Sequence, residues 1–93
     1  MSTPTLSIVI STIDKNFEKF VKNFHFEKLK NADEVIVIVQ GTEKLVHHSE
    51  LASFNVIVEK RYGLSISRNI GIENSSSDFI WFLDDDVYLF DYS

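Results

Sequence analysis

The sequence predicts an α/β fold: a Rossmann-like, three-layer αβα arrangement with a mainly parallel sheet of about four strands. Short apolar runs rich in β-branched and aromatic residues alternate with amphipathic stretches along the 93 residues. Such alternation favours right-handed crossovers, which make neighbouring strands parallel and place the helices on the faces of the sheet. A chain of this length supports one hydrophobic core at most, so we expect a single domain over residues 1–93.

The first strand and the first helix are predicted from two apolar patterns. Residues 6–12 (LSIVIST) form a β-branched run of the kind that is buried on both faces of a parallel sheet. Asp14 is the expected N-cap of the helix that follows. The apolar residues of this helix recur at positions i, i+3, i+4 and i+7, which are Phe17, Phe20, Val21 and Phe24.

The rest of the chain continues the alternation. Three further strands are predicted from apolar runs, at residues 34–39, 55–59 and 79–83. Residues 43–52 are interpreted as a short helix between the first two of these strands. Before the last strand, Ser65 is the expected cap of a helix that runs to about Asn74.

The composition excludes several kinds of site and partner. The formal net charge is -5 and the pI is about 5.0, which argues against nucleic-acid binding, because clustered Lys and Arg supply the phosphate contacts of such surfaces. Without cysteine the chain forms neither a disulfide framework nor a thiolate metal site. No segment approaches the roughly 18 apolar residues of a transmembrane span, and the N-terminus lacks a signal-peptide pattern, so we expect a cytoplasmic chain.

Polar residues follow three of the four predicted strands. They are Ser11-Thr12 after the first strand, Gln40-Gly41-Thr42 after the second and Asp84-Asp85-Asp86 after the fourth. In parallel sheets, ligands bind beyond the carboxyl ends of the strands, near the point where the strand order reverses. We therefore expect these three segments to lie close together at one edge of the sheet.

The aspartate triplet has two interpretations. If extended geometry continues past the strand, Asp84 and Asp86 point to one side and Asp85 to the other. Two convergent carboxylates suit Mg2+ or Mn2+, and a typical Mg2+ site combines one or two carboxylates with substrate phosphates. The alternative is a solvated acidic turn, since aspartate is common at strand ends and in turns.

The chain resembles one enzyme family over nearly all of its length. The matching segments are LSIVIST, ADEVIVIVQGT and GLSISRNIGIENSSSDFIWFLDDD. The last of these combines a Gly-Leu-Ser turn, an Arg-Asn pair on a helix, an aromatic-rich strand and the aspartate triplet. In this order, the features resemble the N-terminal, nucleotide-binding half of a family 2 glycosyltransferase, an enzyme of GT-A fold that uses nucleoside-diphosphate sugars.

This resemblance implies roles for individual residues. Asp86 would coordinate a Mg2+ or Mn2+ ion that bridges the diphosphate, Asp84 would meet the ribose or the metal, and Asp85 would assist either of them. Arg68 would help to hold the nucleotide, because a guanidinium suits phosphate partners. The nucleobase would be bordered by Thr12 and by the segment that contains Gln40 and Gly41.

Two departures from the family pattern are evident. The family often has acidic residues where Val39 and Gln40 stand, and one of them reads the base; a neutral amide replaces that acid here. The resemblance also covers only the nucleotide-binding half of the catalytic domain. The half that binds a carbohydrate or lipid-linked acceptor and supplies the general base has no counterpart, so we expect the fragment to be incomplete for catalysis.

Two functions stay open at this point. The first is the sugar-nucleotide-binding part of a metal-dependent glycosyltransferase, which in a complete enzyme would act at the inner face of the membrane. The second is a non-catalytic interaction module derived from the same fold, which would self-associate through the apolar residues of the segment 87–92 (VYLFDY).

Overall fold

A computed structural model describes residues 3–29, 31–44 and 48–85. Within these residues the chain forms one four-stranded sheet of order β3-β2-β1-β4, in which all three pairings are parallel. The strands are β1 (Leu6–Ile13), β2 (Glu34–Gln40), β3 (Asn55–Glu59) and β4 (Phe79–Asp84). The α/β, Rossmann-like fold class predicted from the sequence is confirmed.

Two α-helices cover opposite faces of the sheet. The helix α1 (Phe17–Asn23) packs Phe17, Phe20 and Val21 against Ile8 and Ile10 of β1. On the other face, α2 (Leu64–Asn74) places Ile70 on a second cluster formed by Val9, Ile36 and Ile38. Because successive side chains of a strand point to opposite faces, each central strand contributes to both clusters. This is the predicted three-layer arrangement.

An aromatic cluster closes the α1 side of the core. The ring centroid of Phe20 lies 5.1 Å from that of Phe24 and 5.3 Å from that of Phe26. Phe26 belongs to a 3-10 turn (Phe26–Leu29) and also contacts Phe54, at 5.5 Å, just before β3. Tilted and edge-on ring pairs at these separations are favourable beyond their buried area. The cluster therefore ties α1 to the loop that leads into β3.

The structure corrects the helix predicted over residues 43–52. Among the described residues of this stretch, the only helical turn is a short 3-10 turn, Ser49–Leu51, while residues 45–47 lie outside the described part. His48 caps this turn by accepting a hydrogen bond from the Glu50 amide at Nδ1. Residues 43, 44 and 48 are described and are not helical, and Leu51 is the only buried side chain among the described residues of this stretch.

Both predicted helix caps were also wrong. Gly63, not Ser65, is the N-cap of α2, and its φ of +148° is a conformation that favours glycine. Ser65 therefore lies within the first turn. Asp14 starts a separate 3-10 turn (Asp14–Asn16), and α1 begins only at Phe17.

Small residues let α2 approach the sheet closely. Ser67 and Gly71 are the buried residues of this helix. A Cβ atom placed on Gly71 would lie 2.7 Å from Cγ1 and 3.0 Å from Cγ2 of Val9. Val9 is fully buried and β-branched, so its side chain has little freedom to move away.

We expect Gly71→Ala to destabilise the chain. Overpacking costs about 1–3 kcal/mol, and the better helix propensity of alanine returns about 1 kcal/mol of it. Urea unfolding measures the difference, and Ser65→Ala, at an exposed position of the same helix, is the matched control. Combining Gly71→Ala with Val9→Ala should remove the steric part of the loss. If Gly71→Ala instead stabilised the chain by about 1 kcal/mol, the effect of helix propensity alone, the close packing would be contradicted.

In the part of the chain that the structure describes, no helix combines the length and apolar character needed to cross a bilayer.

Candidate functional site

The strand order of the sheet reverses between β1 and β4. From β1 the chain moves outward through β2 to β3, and β4 then returns to pair with the other side of β1. The order therefore reverses at β1, and open α/β sheets bind ligands at such a point. Of the predicted site residues, Thr12 and Asp84 stand at the ends of these two strands.

Two aspartates and a threonine meet at this edge. Asp84 is the last residue of β4, pairs in register with Ser11, and is exposed. Asp85 follows in a turn, where it is half-buried, and its Oδ2 accepts a hydrogen bond of 2.8 Å from the hydroxyl of Thr12. Thr12 itself is only 3% exposed. Its hydroxyl therefore orients Asp85, and Asp84 is the carboxylate that faces solvent.

The predicted orientation of Asp86 lies outside the described residues. Within the described part, extended geometry ends at Asp84, and Asp85 already belongs to a turn. That Asp84 and Asp86 converge on one side stays a prediction.

Arg68 lies on the same face of the sheet as Asp84. Its guanidinium carbon is 5.6 Å from the ring centroid of Phe82, a distance at which the cation is attracted to the ring. Phe82 and Asp84 are two residues apart on β4 and so point to the same side. The structure thus brings this exposed cation and this exposed carboxylate to one side of the edge.

A short hydrogen-bond chain anchors the start of α2 to β1. Ser11 donates to Ser67 over 2.9 Å, and Ser67 donates to the carbonyl of Leu64 over 3.0 Å. Ser67 is fully buried, and these two hydrogen bonds satisfy its hydroxyl both as an acceptor and as a donor. Ser67 was not predicted as a site residue, because a serine between Ile66 and Ile70 on a helix gives no indication that it pairs with Ser11. The anchor positions the turn of α2 that bears Arg68.

Gln40 holds the loop between β3 and α2. It is 5% exposed, and its Nε2 donates to the carbonyl of Arg61 over 3.0 Å and to that of Gly63 over 2.9 Å. Both amide hydrogens are therefore used inside the protein. The side-chain N–H groups of Gln40 thus hold the loop, and its contact with a nucleobase stays a prediction.

Gly41, Tyr62 and Asp14 form a second group at the same edge. The hydroxyl of Tyr62 donates to Oδ1 of Asp14 over 2.9 Å. Gly41 has a φ of +91°, and a Cβ there would overlap the Tyr62 hydroxyl and lie 2.7 Å from Oδ1 of Asp14. Glycine is thus required twice, for conformation and for space. Gly41 was predicted as a site residue, whereas Tyr62 and Asp14 were not.

The hydrogen bond to Asp14 raises the pKa of Tyr62 above its usual range, because the carboxylate accepts a hydrogen bond from the protonated phenol and its charge opposes formation of a phenolate. Desolvation acts in the same direction.

The two basic residues before Tyr62, Lys60 and Arg61, each form an ion pair with a glutamate. Arg61 donates to both carboxylate oxygens of Glu59, each over 3.0 Å, and Lys60 lies 3.6 Å from Glu43. The side-chain hydrogen bonds from Arg61, followed by the one from its backbone N–H, lower the pKa of Glu59 to about 2. These pairings leave little uncompensated positive charge at this loop.

The donor set at the edge suits a hard cation. The carboxylates of Asp84 and Asp85 supply oxygen ligands, and Mg2+ commonly uses one or two carboxylates together with substrate phosphates. The described residues contain no group of three His, Cys, Asp or Glu side chains that could hold a metal ion. His25 and His48 are engaged elsewhere, the former with Glu27 at 3.3 Å and the latter in its turn. Asp84 and Asp85 are ligands of the type that Mg2+ shares with a diphosphate, whereas the described residues alone form no metal-binding group.

Comparison with known families gives one match. The family described as glycosyl transferase family 2 matches residues 7–92. This range contains the aspartate triplet and the four strands, apart from Leu6, the first residue of β1. Among curated proteins, the comparison found none that matches. The matched region carries the parallel sheet and the reversal of strand order described above. The chain belongs to glycosyl transferase family 2.

Proposed function

We propose that this chain binds a nucleoside-diphosphate sugar together with Mg2+ or Mn2+ at the carboxyl ends of β1 and β4. The observation that carries the proposal is the placement of Asp84 and Asp85 beside Thr12 where the strand order reverses. Family membership supports a nucleotide-sugar-binding module of glycosyltransferase type.

Each side chain at the edge has a distinct task in this proposal. Asp84 and Asp86 hold the cation, while Thr12 keeps the Asp85 carboxylate oriented toward the ribose or the metal. Arg68, resting on Phe82, contacts the nucleotide phosphates through its guanidinium. The bound cation would neutralise charge on the diphosphate leaving group.

The proposal covers the donor side of glycosyl transfer. In a complete enzyme the acceptor would be a carbohydrate or a lipid-linked glycan whose hydroxyl receives the sugar, and the reaction would take place in the cytoplasm or at the inner face of the membrane. We assign the acceptor-side base to no residue of this chain. The self-association predicted for residues 87–92 lies outside the described residues, and no comparison supports it.

Calorimetry with UDP- and GDP-sugars, with and without Mn2+, tests the proposal. We expect Mn2+-dependent binding that falls about ten-fold or more in Asp84→Asn, because a charged oxygen contact is lost. Asp86→Asn should have a similar effect. Glu73→Gln removes an exposed carboxylate from α2, away from this edge, and is the matched control with unchanged binding.

The opposite outcome is equally clear. If wild type binds no sugar nucleotide at millimolar concentration, or binds it equally well without Mn2+, the metal-nucleotide site is wrong. The non-catalytic interaction module then becomes the better description of the chain.

A further inference from the structure

Tyr62 is an exposed aromatic side chain that is held on several sides. Its surface is 54% exposed, yet its hydroxyl donates to Asp14 over 2.9 Å. The residues before and after it, Arg61 and Gly63, are both fixed through their carbonyl oxygens by the buried amide of Gln40. Fixing an exposed aromatic ring costs conformational entropy without burying much apolar surface. Stability of the fold alone therefore does not account for this arrangement.

Gly41 makes room for the ring. A side chain at this position would overlap the hydroxyl end of Tyr62, as the space that a Cβ needs is already taken by the phenol. The backbone of Gly41 is in turn held by a hydrogen bond of 2.7 Å from its N–H to the carbonyl of Glu59. The ring is thus seated on the end of β2, next to the end of β1.

Asp14 offers an acceptor beside the ring. Its Oδ1 accepts from the Tyr62 hydroxyl and from the backbone N–H of Lys15, both over 2.9 Å. Among the described residues no hydrogen bond reaches its Oδ2, and the side chain is exposed. A flat π-surface next to a charged acceptor matches a planar heterocycle that carries an N–H group. Stacking a base on an aromatic ring and a hydrogen bond to a carboxylate are both favourable.

We propose that Tyr62 and Asp14 form the nucleobase-contacting surface of this chain, with the base stacked on the Tyr62 ring and a base N–H donated to Oδ2 of Asp14. This inference rests on the proposed function and deepens it. Gln40 uses both amide hydrogens to hold the loop, so it acts on the base indirectly, as a positioning residue for Tyr62. The acceptor that reads the base is then supplied after β1 and not at the end of β2.

Binding of three probes to four proteins tests this assignment. The probes are UDP, GDP and inorganic pyrophosphate, each with Mn2+, and the proteins are wild type, Tyr62→Ala, Tyr62→Phe and Asp14→Asn. Tyr62→Ala should weaken both nucleotides by between about five-fold and about a hundred-fold, the range expected for loss of one stacked base. Tyr62→Phe keeps the ring and should stay within about three-fold of wild type, since the lost hydrogen bond to Asp14 orients the ring and does not itself contact the base.

Asp14→Asn keeps an oxygen for the Tyr62 hydroxyl and replaces the other oxygen by an NH2 group, which repels a base N–H. We expect about a ten-fold loss for UDP and GDP. Pyrophosphate has no base, so its affinity should be the same in all four proteins. Circular dichroism of each variant checks that the fold is retained.

The outcomes separate this inference from the function on which it rests. If UDP and GDP bind wild type in a Mn2+-dependent manner but Tyr62→Ala and Asp14→Asn bind them equally well, the Tyr62 and Asp14 assignment is overturned and the metal-nucleotide site stands. If the variants weaken pyrophosphate as much as the nucleotides, their effect is on the whole edge and the assignment is again wrong. If wild type binds none of the probes, both proposals fail.

Discussion

Replacing Gln40 by glutamate is expected to destabilise the folded chain by about 3 kcal/mol or more at neutral pH. The amide of Gln40 is 5% exposed and donates to two backbone carbonyls, those of Arg61 and Gly63. A carboxylate has no hydrogen to donate, so it would place a buried negative charge against two carbonyl oxygens. Both the lost hydrogen bonds and the unpaired charge oppose folding.

The sign of the pH dependence follows from the same geometry. Burial beside acceptors raises the pKa of a carboxyl group in the folded state, so the variant regains stability as the pH falls below that raised pKa. The protonated acid can also donate one of the two lost bonds. Urea unfolding of Gln40→Glu at about pH 7 and about pH 5 should therefore show a smaller loss, relative to wild type, at the lower pH.

A neutral variant separates the charge from the hydrogen bonds. Gln40→Leu loses both bonds without adding charge, and should cost about 2 kcal/mol with no dependence on pH in this range. If Gln40→Glu were as stable as wild type at neutral pH, the two hydrogen bonds that hold the loop would be the wrong description of this side chain.

Gln40 illustrates how far a site is predictable from sequence. Its position at the end of a buried strand followed from the apolar run before it, and its place at the ligand edge followed from the parallel topology. Its hydrogen-bond partners could not be predicted in this way, because Arg61 and Gly63 are 21 and 23 residues further along the chain, in a loop with no periodic pattern. The family pattern suggested an acid that reads a base, whereas the structure shows an amide that holds a loop.

The strands were predictable for a clear reason. Residues that are buried on both faces need an uninterrupted apolar run, and β1 and β2 each continue only one residue past the predicted end. Helix boundaries were less predictable. The N-cap of α2 is Gly63, which has a positive φ and whose carbonyl accepts a hydrogen bond from Gln40, whereas the local sequence pattern indicated Ser65.

The site residues that sequence reasoning missed share one property. Tyr62 is hydrogen-bonded to Asp14, in the turn after β1, and Ser67 is hydrogen-bonded to Ser11, on β1 itself. Each pair is separated by about fifty residues, and the apolar pattern constrains neither partner. Gly41 is the sequence feature that could have indicated the contact with Tyr62, because a glycine directly after a buried strand often marks a close approach by another group.

Phe20→Ala is expected to cost about 3–5 kcal/mol, the range for truncation of a buried phenylalanine. The side chain is 4% exposed and contacts the rings of Phe24 and Phe26, which connect α1 to Phe54 before β3. Removing it opens a cavity between the helix and the sheet that the stiff neighbouring rings cannot fill. Phe79→Ala, at a position on β4 that is 60% exposed, is the matched control and should cost less than about 1 kcal/mol.

The size of this loss matters because domains are stable by only about 5–15 kcal/mol in total. Urea unfolding of both variants measures it, and equal losses for Phe20→Ala and Phe79→Ala would contradict the packing of α1. The aromatic cluster lies on the α1 face, whereas Arg68 and Asp84 lie on the α2 face. Phe20→Ala should therefore reduce the folded fraction without changing the surroundings of Arg68 and Asp84. A sugar nucleotide at about 100 times its Kd, together with Mn2+, should then raise the free energy of unfolding of both wild type and Phe20→Ala by about 2.7 kcal/mol. The same ligand concentration should raise that of Asp84→Asn by less.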